Sequence, residues 1–163
     1  MELKFEVQAK IKKPINEVFD ADYNPKKLKE YFTTGGASGP LDEGKEVIWD
    51  FHDFPGAFPV QVKQTIMNEK IVLEWANSEG NSTRVEMGFE SLDKYSTLVT
   101  IKESGWKNQI QKSLDESYSH CMGWMQMLCC LKVYTEDGKL ERIFLLMIII
   151  KNEGNLVKIK LTV

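Results

Sequence analysis

The hydrophobic period of this 163-residue chain changes once along its length, and that change limits the folds open to it. Between residues 47 and 103 apolar side chains recur at every second position; from residue 110 to 134 they recur at every third or fourth. A period of two describes a strand with one wet face, and a period near 3.6 an amphipathic helix. Val47, Trp49 and Phe51 share one strand face. Val60, Val62, Gln64 and Ile66 share the next, followed by Ile71, Leu73 and Trp75, then Val85, Met87 and Phe89, then Val99, Ile101 and Glu103. Asn68-Glu69, residues 78–82 and Asp93-Lys94 separate these runs as hairpin turns, and residues 52–59 (HDFPGAFP) read as a rigid loop between two strands. In the helical region Leu114, Tyr118, Cys121, Met122, Met125, Leu128, Cys129 and Leu131 mark the apolar face, and Asp137-Gly138 supplies the stop.

The first forty residues add the remaining elements. Phe5, Val7, Ala9 and Ile11 alternate with polar residues and predict a strand. Pro14 bounds it, and Ile15, Val18 and Phe19 fit a short helix. Asn24-Pro25 opens a second short helix with Leu28, Tyr31 and Phe32 on one face. Strand, two short helices, five or six antiparallel strands and a long helix make an α+β design, a curved sheet packed on one helix. Residues 1–138 form this domain. Residues 139–163 form an atypical tail, whose β-branched content predicts a hairpin of residues 143–150 with 156–161. Its apolar side must be covered by the domain or by a second copy, which points to a homodimer through the tail.

Composition closes off several classes of function. Lys and Arg number 21 against 24 Asp and Glu, a net charge of −3, which gives no electrostatic footprint for nucleic acid. The longest apolar run, residues 143–150, is far short of the roughly 20 residues a membrane-spanning helix needs. The opening residues MELKFEVQAKIKKP alternate rather than form an apolar signal core, and three cysteines, two of them adjacent, make a disulfide framework unexpected; a cytoplasmic location is expected. His120, Cys121 and Cys129 do not have zinc spacing, so His52 and His120 are read as ordinary residues and no metal or cofactor is expected. Phosphate-loop, dinucleotide and nucleophile-elbow motifs are missing from the sequence, and no catalytic residue is assigned.

The opening segment FEVQAKIKKPINEVFDADYNPKKLKEYF resembles the start of the SRPBCC superfamily, the START-like or helix-grip proteins. TLVTIKESGW at residues 97–106, followed by GWMQMLCCLKVY at residues 123–134, is similar to the branch named for the activator of the heat-shock-protein-90 ATPase. The resemblance covers residues 2–138 and implies a curved antiparallel sheet gripping a long C-terminal helix. It also implies a cavity between the two, which relatives use for lipids, hormones or other hydrophobic molecules. The two-domain co-chaperones of this branch carry a further N-terminal domain with no counterpart in this sequence, so direct co-chaperone activity is not the first expectation.

On that resemblance the cavity candidates are Trp49, Phe51, Val62, Trp75, Met87, Phe89, Glu103, Trp106, Met122 and Met125. Residues of these types are also ordinary core, so composition alone does not place them in a pocket. Glu103 is the sharpest of them. It shares a face with Val99 and Ile101, so a carboxylate is aimed at the interior, where it needs a partner. A structural bond to Trp106 or Tyr118 is the plain alternative to a ligand role, and a leucine in its place would relieve a desolvation cost. Gly123, inside the helix, reads as a site of close packing against the sheet. The expected function is a binding module for a hydrophobic small molecule. The alternatives are a protein-interaction domain with a chaperone partner and a small enzyme using the cavity carboxylate.

Overall fold

The structure, a computed structural model, describes residues 3–52, 54–76, 81–106, 111–138, 148–150 and 158–160. Strand β1 (Leu3–Ile11) is followed by helices α1 (Ile15–Tyr23) and α2 (Pro25–Leu28). Strands β2 (Gly36–Ala37), β3 (Glu46–Phe51), β4 (Phe54–Ile66), β5 (Lys70–Ala76), β6 (Ser82–Asp93) and β7 (Ser96–Trp106) come next, and then helix α3 (Gln111–Asp137). The seven strands form one antiparallel sheet in the order β1-β7-β6-β5-β4-β3-β2. The last strand of the meander therefore returns to pair with the first. With α3 packed against it, this is the α+β helix-grip arrangement that the change of period predicts.

Local chemistry sets the element ends. The Asn24 side chain accepts from the Lys26 backbone N–H at 3.1 Å and Pro25 stands at the first helical position, so α2 starts there. Asn68, at φ 59°, makes the turn from β4 to β5. Gly105 sits at φ 108°, and a side chain there would meet the Ser82 carbonyl oxygen at 3.0 Å, so only glycine lets β6 and β7 close up at this point. Gly138, at φ 73°, donates its N–H to the Tyr134 carbonyl and ends α3 where the sequence stop lies. The turn expected at residues 78–82 falls largely outside the described residues.

Three expectations change. Residues 54–59 are strand, not loop: β4 begins at Phe54, opposite Phe51, and the β3–β4 hairpin is tight. The uniform face drawn through Val62, Gln64 and Ile66 breaks at a bulge between Val62 and Gln64. One extra residue shifts the alternation, so Thr65 takes the inward place and bonds the Leu41 carbonyl at 2.5 Å. The buried face of α3 is Ser113, Ser117, Trp124, Met127, Leu128 and Leu131, while Tyr118, Met125 and Cys129 are exposed. Of the expected face Leu128 and Leu131 are buried and Leu114, Cys121 and Met122 half-buried; the phase is off because the inner face carries two serines and a polar cluster. In the tail, Ile148–Ile150 pairs antiparallel with Lys158–Lys160. The rest of the expected hairpin lies outside the described residues.

The core fills the space between sheet and helices. Trp49, Val62, Ile71, Leu73, Met87, Val99 and Ile101 come from the sheet, Phe19 and Leu28 from the short helices, and Leu128 and Leu131 from α3. This packing leaves one end of the sheet, where β3 and β5 finish and β4 begins, standing away from the first half of α3.

Candidate functional site

Alternation along β7 turns Glu103 inward after Val99 and Ile101, and it is 1% exposed. Three donors meet its carboxylate. The Trp75 indole N–H, from β5, lies 3.2 Å from Oε1. The Trp124 indole N–H lies 2.8 Å from Oε2, and His120 Nδ1 lies 2.8 Å from Oε1. His120 and Trp124 are one helical turn apart on α3, so both reach the same strand position. A carboxylate accepts, so Nδ1 of His120 carries the proton and Nε2 is the other ring nitrogen. Burial pulls the His120 pKa down, but the hydrogen bond and charge of Glu103, with the charge of Glu116, outweigh it and leave it above its ordinary value. The ring is held edge-on between Trp75, 5.9 Å away, and Trp106, 5.7 Å away.

This cluster forms one wall of an open cleft of about 620 Å³. Tyr31, Phe32 and Thr34 bound it where α2 ends, and Phe51, Gly56 and Phe58 bound it from the β3–β4 hairpin. Trp75 and Ala76 close the β5 side. The long wall is α3, from Glu116 through Ser119, His120, Gly123 and Trp124 to Cys130. The rings meet at steep angles: Phe32 with Phe51 at 78°, and Phe58 with Trp75 at 84°. Trp75 and Trp124 are parallel within 8°, with centroids 5.4 Å apart. Both indoles donate to Glu103, which fixes the plane of each. Trp106 donates to Glu116 at 3.0 Å and holds that carboxylate at the same wall.

Of the sequence candidates, Phe51 and Trp75 line the cleft. Glu103 lies behind its wall and acts through the groups it holds. Trp49, Val62, Met87 and Phe89 are buried in the core, and Trp106 is buried against Glu116. Met122 is half-buried and Met125 is 42% exposed; neither faces the cleft. Trp106 and Tyr118 are not the donors to Glu103, and Tyr118 is 60% exposed. His120, read as ordinary, is the polar centre of the wall. The signal for it was present: a carboxylate on an inward strand face calls for donors, and His120 and Trp124 stand four apart on the next element. Tyr31, Phe32 and Phe58 carried no such signal. Gly123 does not pack against the sheet; a side chain there would meet no atom within 4 Å, and the residue opens onto the cleft. Among the described residues no group of three His, Cys, Asp or Glu side chains is placed to hold a metal, and no helix is long and apolar enough to cross a membrane.

Comparisons with known proteins agree with this architecture. Residues 12–136 match the family model described as Activator of Hsp90 ATPase homolog 1-like protein. No curated protein matches. Among solved structures, protein SSP2350 from Staphylococcus saprophyticus superposes with a TM-score of 0.71 at 22% identity, over 86% of this chain and 96% of that one. The Aha1 dimer from Colwellia psychrerythraea gives 0.68 at 20% identity, over 85% and 99%. DynU16, a protein of the dynemicin biosynthetic locus, gives 0.70 at 21% identity, over 83% of this chain and 48% of its own. At these identities the likeness is one of fold.

Proposed function

The chain belongs to the Activator of Hsp90 ATPase homolog 1-like family, a branch of the SRPBCC superfamily, and from that premise we propose that it is a binding module whose aromatic cleft holds a hydrophobic small molecule. The observation that carries this reading is the cleft itself. Its volume of about 620 Å³ falls in the range of ligand pockets, roughly 300–1,000 Å³. Its walls are mostly apolar and rich in aromatic rings, and most of the polar side chains, Glu116, Ser119, His120 and Gln126, come from α3. These rings touch one another, Phe51 on Phe58 and Phe58 on Trp75, yet their mutual contacts do not use up their surface. Here Phe51, Phe58 and Trp75 keep part of their surface in the cleft.

Native mass spectrometry of the purified protein tests the reading. A co-purified molecule of a few hundred daltons, released on denaturation and lost when Phe58 and Trp75 are both changed to Ala, is the expected result. An empty protein that also fails to bind a panel of small aromatic compounds would sink it. The family description supports a second reading, a surface that docks on a chaperone ATPase. It predicts a change in ATP turnover when the protein is added to the chaperone, independent of whether the cleft is filled.

A further inference from the structure

Helix α3 carries two apolar stripes, and the domain buries only one. Trp124, Met127, Leu128 and Leu131 are buried against the core. The second stripe runs through Tyr118, Met122, Met125 and Cys129, at spacings of four, three and four. At about 100° per residue these share one side of the helix, turned away from the buried stripe and from the cleft residues Gly123 and Cys130. Tyr118 is 60% and Met125 42% exposed, Cys129 is exposed and Met122 is half-buried. A helix that covers a core on one side normally carries charge on the other. Here the stripe and its flanks, Ser119, Cys121, Gln126 and Leu128, carry none. Charge returns only at its two ends, as Asp115 and Lys132, which extend the same three-and-four spacing into a heptad seam.

The seam matches itself in one direction only. Met122 and Met125 are equidistant from the midpoint between Gly123 and Trp124, and so are Tyr118 and Cys129, and Asp115 and Lys132. Two copies laid antiparallel across that midpoint set Met122 against Met125, Tyr118 against Cys129 and Asp115 against Lys132, each layer twice. A parallel pair would set Asp115 against Asp115 and Lys132 against Lys132. Antiparallel helices also oppose their dipoles favourably. Each end charge is held in place by its own chain: Asp115 accepts from Gln111 at 2.7 Å, and Lys132 donates to Glu136 at 2.6 Å while 40% of its side chain stays exposed. We propose that this outer face of α3 docks a second copy of the chain, antiparallel about that midpoint, in a two-fold dimer. The surface is separate from the tail, and the inference is independent of what the cleft binds.

Sedimentation of the full-length protein tests the assembly. A two-helix seam is a small interface, so a reversible monomer–dimer equilibrium in the micromolar range is expected. Met125→Arg puts a charge into both central layers and should weaken the dimer about a hundredfold. Asp115→Lys should weaken it about tenfold, by setting a cation against Lys132, and added salt should shrink that loss. Both residues are exposed, and melting curves confirm that the variants fold. The direction is read by crosslinking with a short bis-maleimide, using Tyr118→Cys in a Cys121→Ser background. Along one helix residues 118 and 129 are about 16 Å apart, beyond the reagent's reach. A link from the introduced thiol to Cys129 of the second copy is therefore the expected product. Links between the two introduced thiols would mean a parallel pair and overturn the proposal. So would a dimer that Met125→Arg leaves intact, or a protein that stays monomeric at every concentration, as it must if this chain's own residues 139–163 cover the stripe.

Discussion

Glu103 shows how much one buried carboxylate can organise. It was legible in the sequence as an acid on an inward face, but its donors were not, because the fold alone brings β5 and α3 to it. Three N–H groups now depend on it. Leucine at this position relieves the carboxylate's desolvation but strands all three donors, each at a cost of roughly 1–3 kcal/mol. Glu103→Leu is therefore expected to lower stability by about 3 kcal/mol or more in chemical denaturation, contrary to what burial alone suggests. Glu103→Gln keeps one acceptor oxygen and should melt in between. In that variant the His120 pKa should fall, since the hydrogen bond and charge that raise it are weakened; NMR titration of the imidazole reads this directly. Asp22 is the second buried acid. It is fully enclosed, accepts from the Tyr31 hydroxyl through Oδ1, and has no partner at Oδ2. Burial raises its pKa from 3.8 to about 7, against the opposing hydrogen bond. The folded state thus holds a proton that the unfolded state releases at lower pH. Its contribution to stability is complete below pH 3.8 and is lost as pH rises to about 7. Asp22→Asn should be the more stable protein above that pH, by a few kcal/mol, and the two stability curves should converge in acid.

At the level of elements, the sheet was readable and the helix face was not. Strict alternation in β1, β6 and β7 gives their inward residues directly: Phe5, Val7 and Ala9, then Val85, Met87 and Phe89, then Val99 and Ile101. In β4 the bulge after Val62 inserts one residue that no hydrophobic pattern records, since Gln64 and Thr65 are equally polar. For α3 the length and the stop were plain, but its phase was misjudged. Ser113, Ser117 and His120 occupy the inner stripe, so an index of hydrophobicity points to Tyr118 and Met125 instead. The cleft depends on this helix having no side chain at Gly123. Glycine costs about 1 kcal/mol relative to alanine within a helix, and nothing lies within 4 Å of the added carbon. Gly123→Ala should raise stability by up to that amount while weakening ligand binding, because the methyl group enters the cleft. A stabilised variant with unchanged affinity for an aromatic probe would place the ligand elsewhere.

On the scale of the whole molecule, the first strand is tied both to the last strand of the meander and to the long helix. Pairing of β1 with β7 ties residue 3 to residue 106, and α3 then runs back along β1, where Lys132 donates to the Lys10 carbonyl and Glu136 accepts from the Lys12 N–H. Its last turn thereby covers backbone groups at one end of an outer strand, a place that would otherwise recruit a foreign strand. The parallel indoles of Trp75 and Trp124 have another consequence. Trp75 stands 5.4 Å from Trp124 and 5.8 Å from Trp49, the latter at 70°, so three indole chromophores couple, and an excitonic circular-dichroism couplet is expected that no ring would give alone. An imidazole beside them quenches indole emission more strongly when it is protonated. The protein therefore carries an intrinsic optical gauge in which the couplet reports the integrity of the wall, emission intensity reports the proton on His120, and both respond to whatever enters the cleft.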